Sequence, residues 1–237
     1  MQIRSYGRSG PVVVLLHGGP GAPGSMAPVA RGLGDSFRVL EPFQRASGAE
    51  PLTVFLHVSD LHELLTSLGN APTALVGSSW GAMLALAYAA AHPGCAPPLV
   101  LIGCGTFDTA ARSRLHEILR ERKEAGLPLY SYEPVAEEEI AGFDARGHEE
   151  TWQDMLRLQK EGVYPAAFAA IRSSVLMLHG AYDPHPGRMI RAGLEPYLPQ
   201  LEYVEWERCG HYPWLEKFAR DEFFSVLRGW LTRGFGF

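Results

Sequence analysis

Short, unbroken apolar runs recur along the chain, and longer stretches with helical spacing separate them. Val12-Val13-Val14-Leu15-Leu16 is the strongest run, and similar ones occupy residues 37–40, 73–76, 99–102, 175–178 and 201–206. Runs that lack polar alternation suit strands covered on both faces, as in a parallel sheet. Between them, residues 53–68 repeat Val54, Val58, Leu61, Leu65 and Leu68 along one helical face, and Gly69-Asn70-Ala71-Pro72 ends that helix. Further helices are expected from residue 82 to His92-Pro93-Gly94, over 189–197 and over 217–231. Alternating strands and helices predict an α/β fold, with a mostly parallel, doubly wound sheet.

The alternation stops between residues 106 and 171. That stretch is charged and contains no apolar strand run, and its spacing predicts helices over 112–125 and 149–161. The expected organisation is a core made of residues 1–105 and 172–237, with a small helical cap insertion over 106–171. There are no internal repeats and no low-complexity linkers.

The expected strand at 73–76 runs directly into Gly77-Ser78-Ser79-Trp80-Gly81, and a small-residue helix pattern follows. A serine at the apex of a strand–turn–helix junction projects its hydroxyl beyond the sheet edge, and the flanking glycines permit close backbone approach. Five residues alone arise often by chance. A serine hydroxyl is also a weak nucleophile unless a base takes its proton and a carboxylate orients that base.

In open α/β sheets, functional groups gather at the carboxyl ends of strands. Asp183 follows the strand ending at Leu178, and His211 follows the strand ending at Trp206. Ser79, Asp183 and His211 are therefore the candidate nucleophile, orienting acid and base. An oxyanion would need backbone N–H donors, each worth about 3 kcal/mol. Trp80, just after the serine, is one candidate donor. Gly19, within His17-Gly18-Gly19-Pro20-Gly21 after the first strong strand, is the other. Gly18, Trp152, Met155 and Tyr212 are candidate substrate-pocket residues.

The other histidines and cysteines are read differently. His17 and His179 each end a strand before a glycine and read as structural. His185 either lines the site beside Asp183 or simply belongs to its turn. His57, His62, His92, His116 and His148 show no metal-ligand pairing along the sequence, and no metal is expected. Cys95, Cys104 and Cys209 are too few and too scattered for a disulfide framework or a zinc site. Cys209 is expected to pack behind the His211 loop.

These ordered motifs resemble the α/β-hydrolase superfamily over nearly the whole chain. Within it, His17-Gly18-Gly19-Pro20-Gly21 together with Gly77-Ser78-Ser79-Trp80-Gly81 resembles the proline iminopeptidase-like branch. The resemblance implies a cofactor-independent serine hydrolase that cleaves a small ester or amide through an acyl-enzyme. Aminopeptidase action on N-terminal proline is one alternative. A non-hydrolytic protein of the same fold, such as a cofactor-free oxygenase, a lyase or a ligand receptor, is another.

The chain departs from that branch in three places. Few residues precede His17, so the opening strands should be largely missing. Glu41-Pro42-Phe43-Gln44-Arg45-Ala46-Ser47-Gly48 stands where the branch carries Asp-x-Arg-Gly-x-Gly-x-Ser. The insertion is shorter than the branch's cap, which holds acids for the substrate's amine. Glu133, Glu137, Glu138, Glu139, Glu149 and Glu150 either serve that purpose or are solvated helix starts.

Composition narrows the partners. Apolar residues make up 46% of the 237 residues and the net charge is −5, with no basic stripe of the kind nucleic-acid binders carry. No apolar run could span a bilayer and no leader-like segment opens the sequence, so a cytoplasmic setting and a small-molecule substrate are expected. The sequence specifies no oligomeric state.

Overall fold

In the computed structural model, which describes residues 1–137 and 139–236, seven strands form one sheet. They are β1 (Ile3–Tyr6), β2 (Val12–Leu16), β3 (Arg38–Pro42), β4 (Thr73–Ser78), β5 (Leu99–Ile102), β6 (Val175–Gly180) and β7 (Leu201–Trp206). The order across the sheet is β1-β3-β2-β4-β5-β6-β7. β1 pairs antiparallel with β3, and every other pairing is parallel.

The apolar runs divide between two cores. Val12, Val14 and Leu16 of β2 join Leu75, Leu99, Leu101, Val175 and Met177 on one face, while Val13 and Leu15 join Val76, Val100, Ile102, Leu176 and Leu178 on the other. The two-residue repeat of a strand thus feeds both layers, which is why the runs 12–16, 74–76, 99–102 and 175–178 are continuously apolar. The first face is covered by α2 (Val54–Ser67), α3 (Trp80–Ala91) and α6 (Gly187–Leu194), and the second by α1 (Ala27–Leu33) and α7 (Arg220–Gly234).

Between β5 and β6 the chain forms α4 (Thr109–Glu124) and α5 (Ala145–Lys160) without entering the sheet. α5 begins four residues before the position read from its spacing. Asp144 caps it by accepting from Gly147 N at 3.0 Å, and the same carboxylate accepts from Ser47 N and Ser47 Oγ at 2.6 and 2.9 Å. Further bonds tie α5 to the rest of the fold, among them Leu52 N to Glu150 at 2.9 Å and Val54 N to Asp154 at 2.8 Å. His57 Nε2 on α2 meets Thr151 Oγ1 at 3.0 Å, and His148 Nδ1 donates to the Pro20 carbonyl at 3.0 Å.

Other boundaries differ modestly from the sequence expectation. β4 and β6 each extend two residues further, to Ser78 and Gly180, and α7 starts at Arg220 instead of 217. β1 and α1 have no counterpart in the sequence reading. β1 is half-exposed and mixed in composition, and α1 has only seven residues with Pro28 in its first turn. An opening strand is therefore present, where the sequence suggested it would be largely missing.

The β4–α3 junction depends on missing side chains. A Cβ added to Gly81 would overlap the Leu16 carbonyl, and one added to Gly77 would overlap the Gly81 carbonyl. Helix α3 can reach the ends of β2 and β4 only if both positions are bare. Gly81→Ala should lower unfolding stability by about 3 kcal/mol, the scale of an overpacked core. Urea denaturation checks this, and a loss below about 1 kcal/mol would show that the junction yields easily.

Candidate active site

Ser79 sits between β4 and α3 with φ 54° and ψ −117°, and it is the one non-glycine residue with positive φ among the described residues. Backbone of this kind costs about 1–3 kcal/mol and persists only where surrounding structure enforces it. Here Ser79 N donates to the Ile102 carbonyl at 2.8 Å, and the Ser79 carbonyl accepts from Ala82 N and Met83 N. The side chain is left at a cavity wall.

Asp183, beyond β6, is fully buried and surrounded by imidazoles. Its Oδ2 accepts from His211 Nδ1 at 2.6 Å and lies 3.2 Å from His179 Nε2. Its Oδ1 accepts from His185 Nδ1 at 3.0 Å and His185 N at 2.9 Å. Burial alone would raise the Asp183 pKa, but the three histidines and the hydrogen bond outweigh it and hold the carboxyl well below its ordinary value. An ionised carboxylate only accepts, so the proton at the contact with His211 is on Nδ1. The lone pair of His211 is then on Nε2.

His211 lies on the loop after β7. Its backbone N donates to the Tyr130 carbonyl at 2.7 Å. Glu216, buried just beyond, accepts from Gly210 N at 3.0 Å, Tyr132 N at 2.7 Å and Glu133 N at 2.8 Å. One carboxylate thus ties the His211 loop to the segment that leads from α4 toward α5. Gly103 packs against the imidazole, where an added Cβ would stand 2.8 Å from Nδ1.

Ser79, Trp80, Gly19, His211, Tyr212 and Trp152 line a single cavity of about 290 Å³. Of the candidate pocket residues, Trp152 and Tyr212 are therefore in its wall. Gly18 lies behind it, where an added Cβ would stand 3.1 Å from Ser79 Cβ. Met155 does not belong to the pocket. It is fully buried in the core on the α2–α3 side of the sheet, because its position on α5 faces inward, toward the layer beneath. Trp80, as the first residue of α3, has an N–H with no partner inside the helix. Among the described residues no hydrogen bond joins Ser79 Oγ to His211. Such bonds are commonly long in the absence of substrate.

Several wall residues escaped the sequence reading. Leu115, His116 and Leu119 come from α4, Tyr130 from the irregular segment after it, and His148 from α5. Their spacing is that of ordinary amphipathic helices and carries no sign of a pocket. His185 is also in the wall, and its ring stacks on His211 at 4.7 Å.

The loop residues resolve as follows. His17 is structural, donating from Nδ1 to the Gly18 carbonyl and accepting at Nε2 from Gln44 N, and burial pushes its pKa down to about 4. Gln44 also accepts from Trp80 Nε1 at 2.7 Å and donates to the His17 carbonyl at 2.9 Å. It braces the glycine loop against the serine turn, within the very segment that departs from the branch pattern. His179 donates to the His185 carbonyl at 2.9 Å, and Cys209 is buried behind the His211 loop.

Among the described residues, the acids considered for amine binding do not line the cavity. Glu133 pairs with Lys217, Glu139 with Arg31, Glu149 with Gln153, and Glu150 with Arg146 and Leu52 N. Glu137 lies on a separate groove, and Glu138 is outside the described residues. No Asp or Glu is among the described residues lining the cavity.

Among the described residues, two groups of side chains have metal-ligand chemistry. Asp183, His185 and His211 form one. However, Asp183 Oδ2 and His211 Nδ1 are 2.6 Å apart, which fits a shared proton, whereas two ligands of one zinc ion stand about 3.3 Å apart. His62, His92 and Cys95 form the other, which corrects the expectation that these histidines lack a partner. Their pairing arises between two helices, so sequence spacing does not reveal it.

The sequence profile described as the alpha/beta hydrolase family matches residues 13–226. A proline iminopeptidase from Neisseria gonorrhoeae is 32% identical over 197 residues, covering 70% of this chain and 62% of its own length. The chain thus spans under two thirds of that relative. A thermophilic esterase from Thermogutta terrifontis superposes with TM-score 0.72 at 20% identity, covering 98% of this chain and 93% of its own. An esterase from Exiguobacterium antarcticum gives 0.68 at 19%, covering 97% and 94%. At these identities the two esterases bear on the fold alone. No described helix is long and apolar enough to cross a membrane.

If the turn enforces the Ser79 backbone, glycine should relieve it. Ser79→Gly should raise unfolding stability by about 1 kcal/mol, net of the extra freedom glycine gives the unfolded chain. A Ser79→Gly protein that is less stable than wild type in urea would show that the serine is unstrained.

Proposed function

The chain belongs to the alpha/beta hydrolase family, and from that membership we propose a serine hydrolase that cleaves small, uncharged acyl esters. Ser79 attacks the acyl carbon while His211 Nε2 takes its proton. Asp183 keeps the His211 Nδ1 proton in place and stabilises the imidazolium that forms. The Trp80 and Gly19 N–H groups receive the charge of the tetrahedral oxyanion. His211 then passes the proton to the leaving alcohol, and water repeats the sequence on the acyl-enzyme. No cofactor takes part. Residues 106–171 act as the cap that limits substrate size, and the rest of the chain is the hydrolase core.

The observation that carries the choice of substrate is the cavity wall. It offers Trp152, Tyr130, Leu115, Leu119 and Met83 to an acyl or alcohol group and, among the described residues, no carboxylate to a protonated amine. An ammonium group bound there would lose its hydration without a counter-charge, which is costly in a confined site. A volume near 290 Å³ suits a small substrate.

A second reading, action on N-terminal proline, is favoured by the name of the Neisseria gonorrhoeae relative. The absence of a lining carboxylate weighs against it.

A panel of short-chain p-nitrophenyl esters and prolyl amides separates the readings. The ester reading predicts kcat/KM at least about tenfold higher on the best ester, with Ser79→Ala lowering turnover by roughly 10³-fold or more. Faster turnover of prolyl amides would overturn the substrate assignment. Undiminished turnover in Ser79→Ala would overturn the mechanism.

A further inference from the structure

Helix α3 has chemistry at both ends. Ser79 caps its N-terminus, and His92 caps its C-terminus some 18 Å away, given about 1.5 Å per residue. After His92, the sequence Pro93-Gly94-Cys95 turns back on itself, with Cys95 N donating to the His92 carbonyl at 3.1 Å. The turn brings the Cys95 thiol beside the His92 ring. The neighbouring helix α2 adds His62, whose ring stacks on His92 at 3.9 Å with planes only 3° apart. Ligand atoms of His62, His92 and Cys95 all lie within 4.8 Å of one another.

This group differs in kind from the Asp183 cluster. Among the described residues, no hydrogen bond ties its three members to a carboxylate. His62 Nδ1 and Cys95 Sγ each face the Tyr88 hydroxyl, at 3.4 and 3.9 Å. His62 and Cys95 open onto a depression of about 300 Å³ that also includes Thr66, Thr73 and Pro97, with no Asp, Glu, Lys or Arg among its described lining residues. Two imidazoles and a thiolate without carboxylates select borderline and soft ions over magnesium or calcium. Tetrahedral zinc places such ligands about 3.3–3.7 Å apart, and two parallel stacked rings cannot both aim an in-plane lone pair at one ion, so closing the site takes shifts of about 1 Å together with rotation of at least one imidazole out of the stack. The partly exposed positions of His62 and His92 and the exposed position of Cys95 leave room for them.

We propose that His62, His92 and Cys95 form a binding site for a zinc-class divalent ion, with a fourth position open to solvent or a small ligand in the depression. As the metal–sulfur bond forms, the Cys95 S–H bond breaks and its proton goes to solvent. The imidazoles bind through ring-nitrogen lone pairs, and nothing is oxidised or reduced. The bound ion fastens α2 to the far end of α3 and is remote from Ser79. The proposal stands whether or not the catalytic reading holds.

Cobalt(II) titration of the whole protein tests it, since a cobalt–thiolate bond gives a charge-transfer absorption that histidine and carboxylate ligands do not. Cys104 and Cys209 are buried, which leaves Cys95 as the accessible thiol. The expected result is one ion per chain with a thiolate band. Cys95→Ser should abolish the band, and His62→Ala and His92→Ala should each weaken binding at least tenfold. Zinc should raise the melting temperature of wild type and leave that of Cys95→Ser unchanged. Absence of the band in folded wild type would overturn the proposal. So would a band that either histidine variant leaves at full affinity, because a lone thiolate would then account for it.

Discussion

The buried Asp183 carboxylate is the constraint around which the candidate site is arranged. A charge removed from water must be met by donors, and Asp183 accepts from His211, His185 and the His185 backbone, with His179 Nε2 a further 3.2 Å neighbour. Those bonds fix more than the acid. They set the tautomer of His211, hold its ring at the cavity wall and leave Nε2 as its proton acceptor. The loop that carries His211 is held from the other side by Glu216, which also holds residues 132 and 133. Two buried carboxylates therefore connect β6, the loop after β7 and the segment covering the cavity.

The serine side of the site rests on steric exclusion. Helix α3 begins where bare Gly77 and Gly81 let it touch β2 and β4, and the sharp turn leaves Ser79 with an unfavourable backbone and an unencumbered side chain. Gln44 joins the two halves, with one bond to Trp80 on the turn and two to His17 beside the glycine loop. Backbone strain on one side and a buried charge on the other both reduce the freedom of groups that the proposed chemistry needs in fixed positions.

Most of this architecture was legible because it follows from burial. Strands covered on both faces must be continuously apolar, so β2, β4, β5 and β6 stand out, and residues at their carboxyl ends become candidates. β1 and α1 stayed hidden because a half-exposed edge strand and a seven-residue helix carry too few apolar positions to make a pattern. Met155 was misplaced for a related reason. Helical spacing puts it near Trp152, but only packing decides that Trp152 borders the cavity and Met155 the core. Glu216, Gln44, Tyr130 and the His62–His92 stack are products of tertiary contact, with no local signal. The acids of the insertion admit two readings from sequence, amine recognition or solvated helix starts, and Glu133, Glu139, Glu149 and Glu150 pair with arginines, a lysine and backbone or amide groups outside the cavity.

The account depends most directly on where the proton of His211 resides. Nitrogen-15 NMR of the histidine side chains at neutral pH reads this for each ring. With Asp183 ionised and accepting at 2.6 Å, the neutral form of the His211 ring should show a protonated Nδ1 with a strongly downfield proton, and an Nε2 that bears none. In Asp183→Asn the downfield proton should disappear. A neutral His211 protonated at Nε2 in the wild-type protein would contradict the account, because the ring would then have no lone pair to offer the serine.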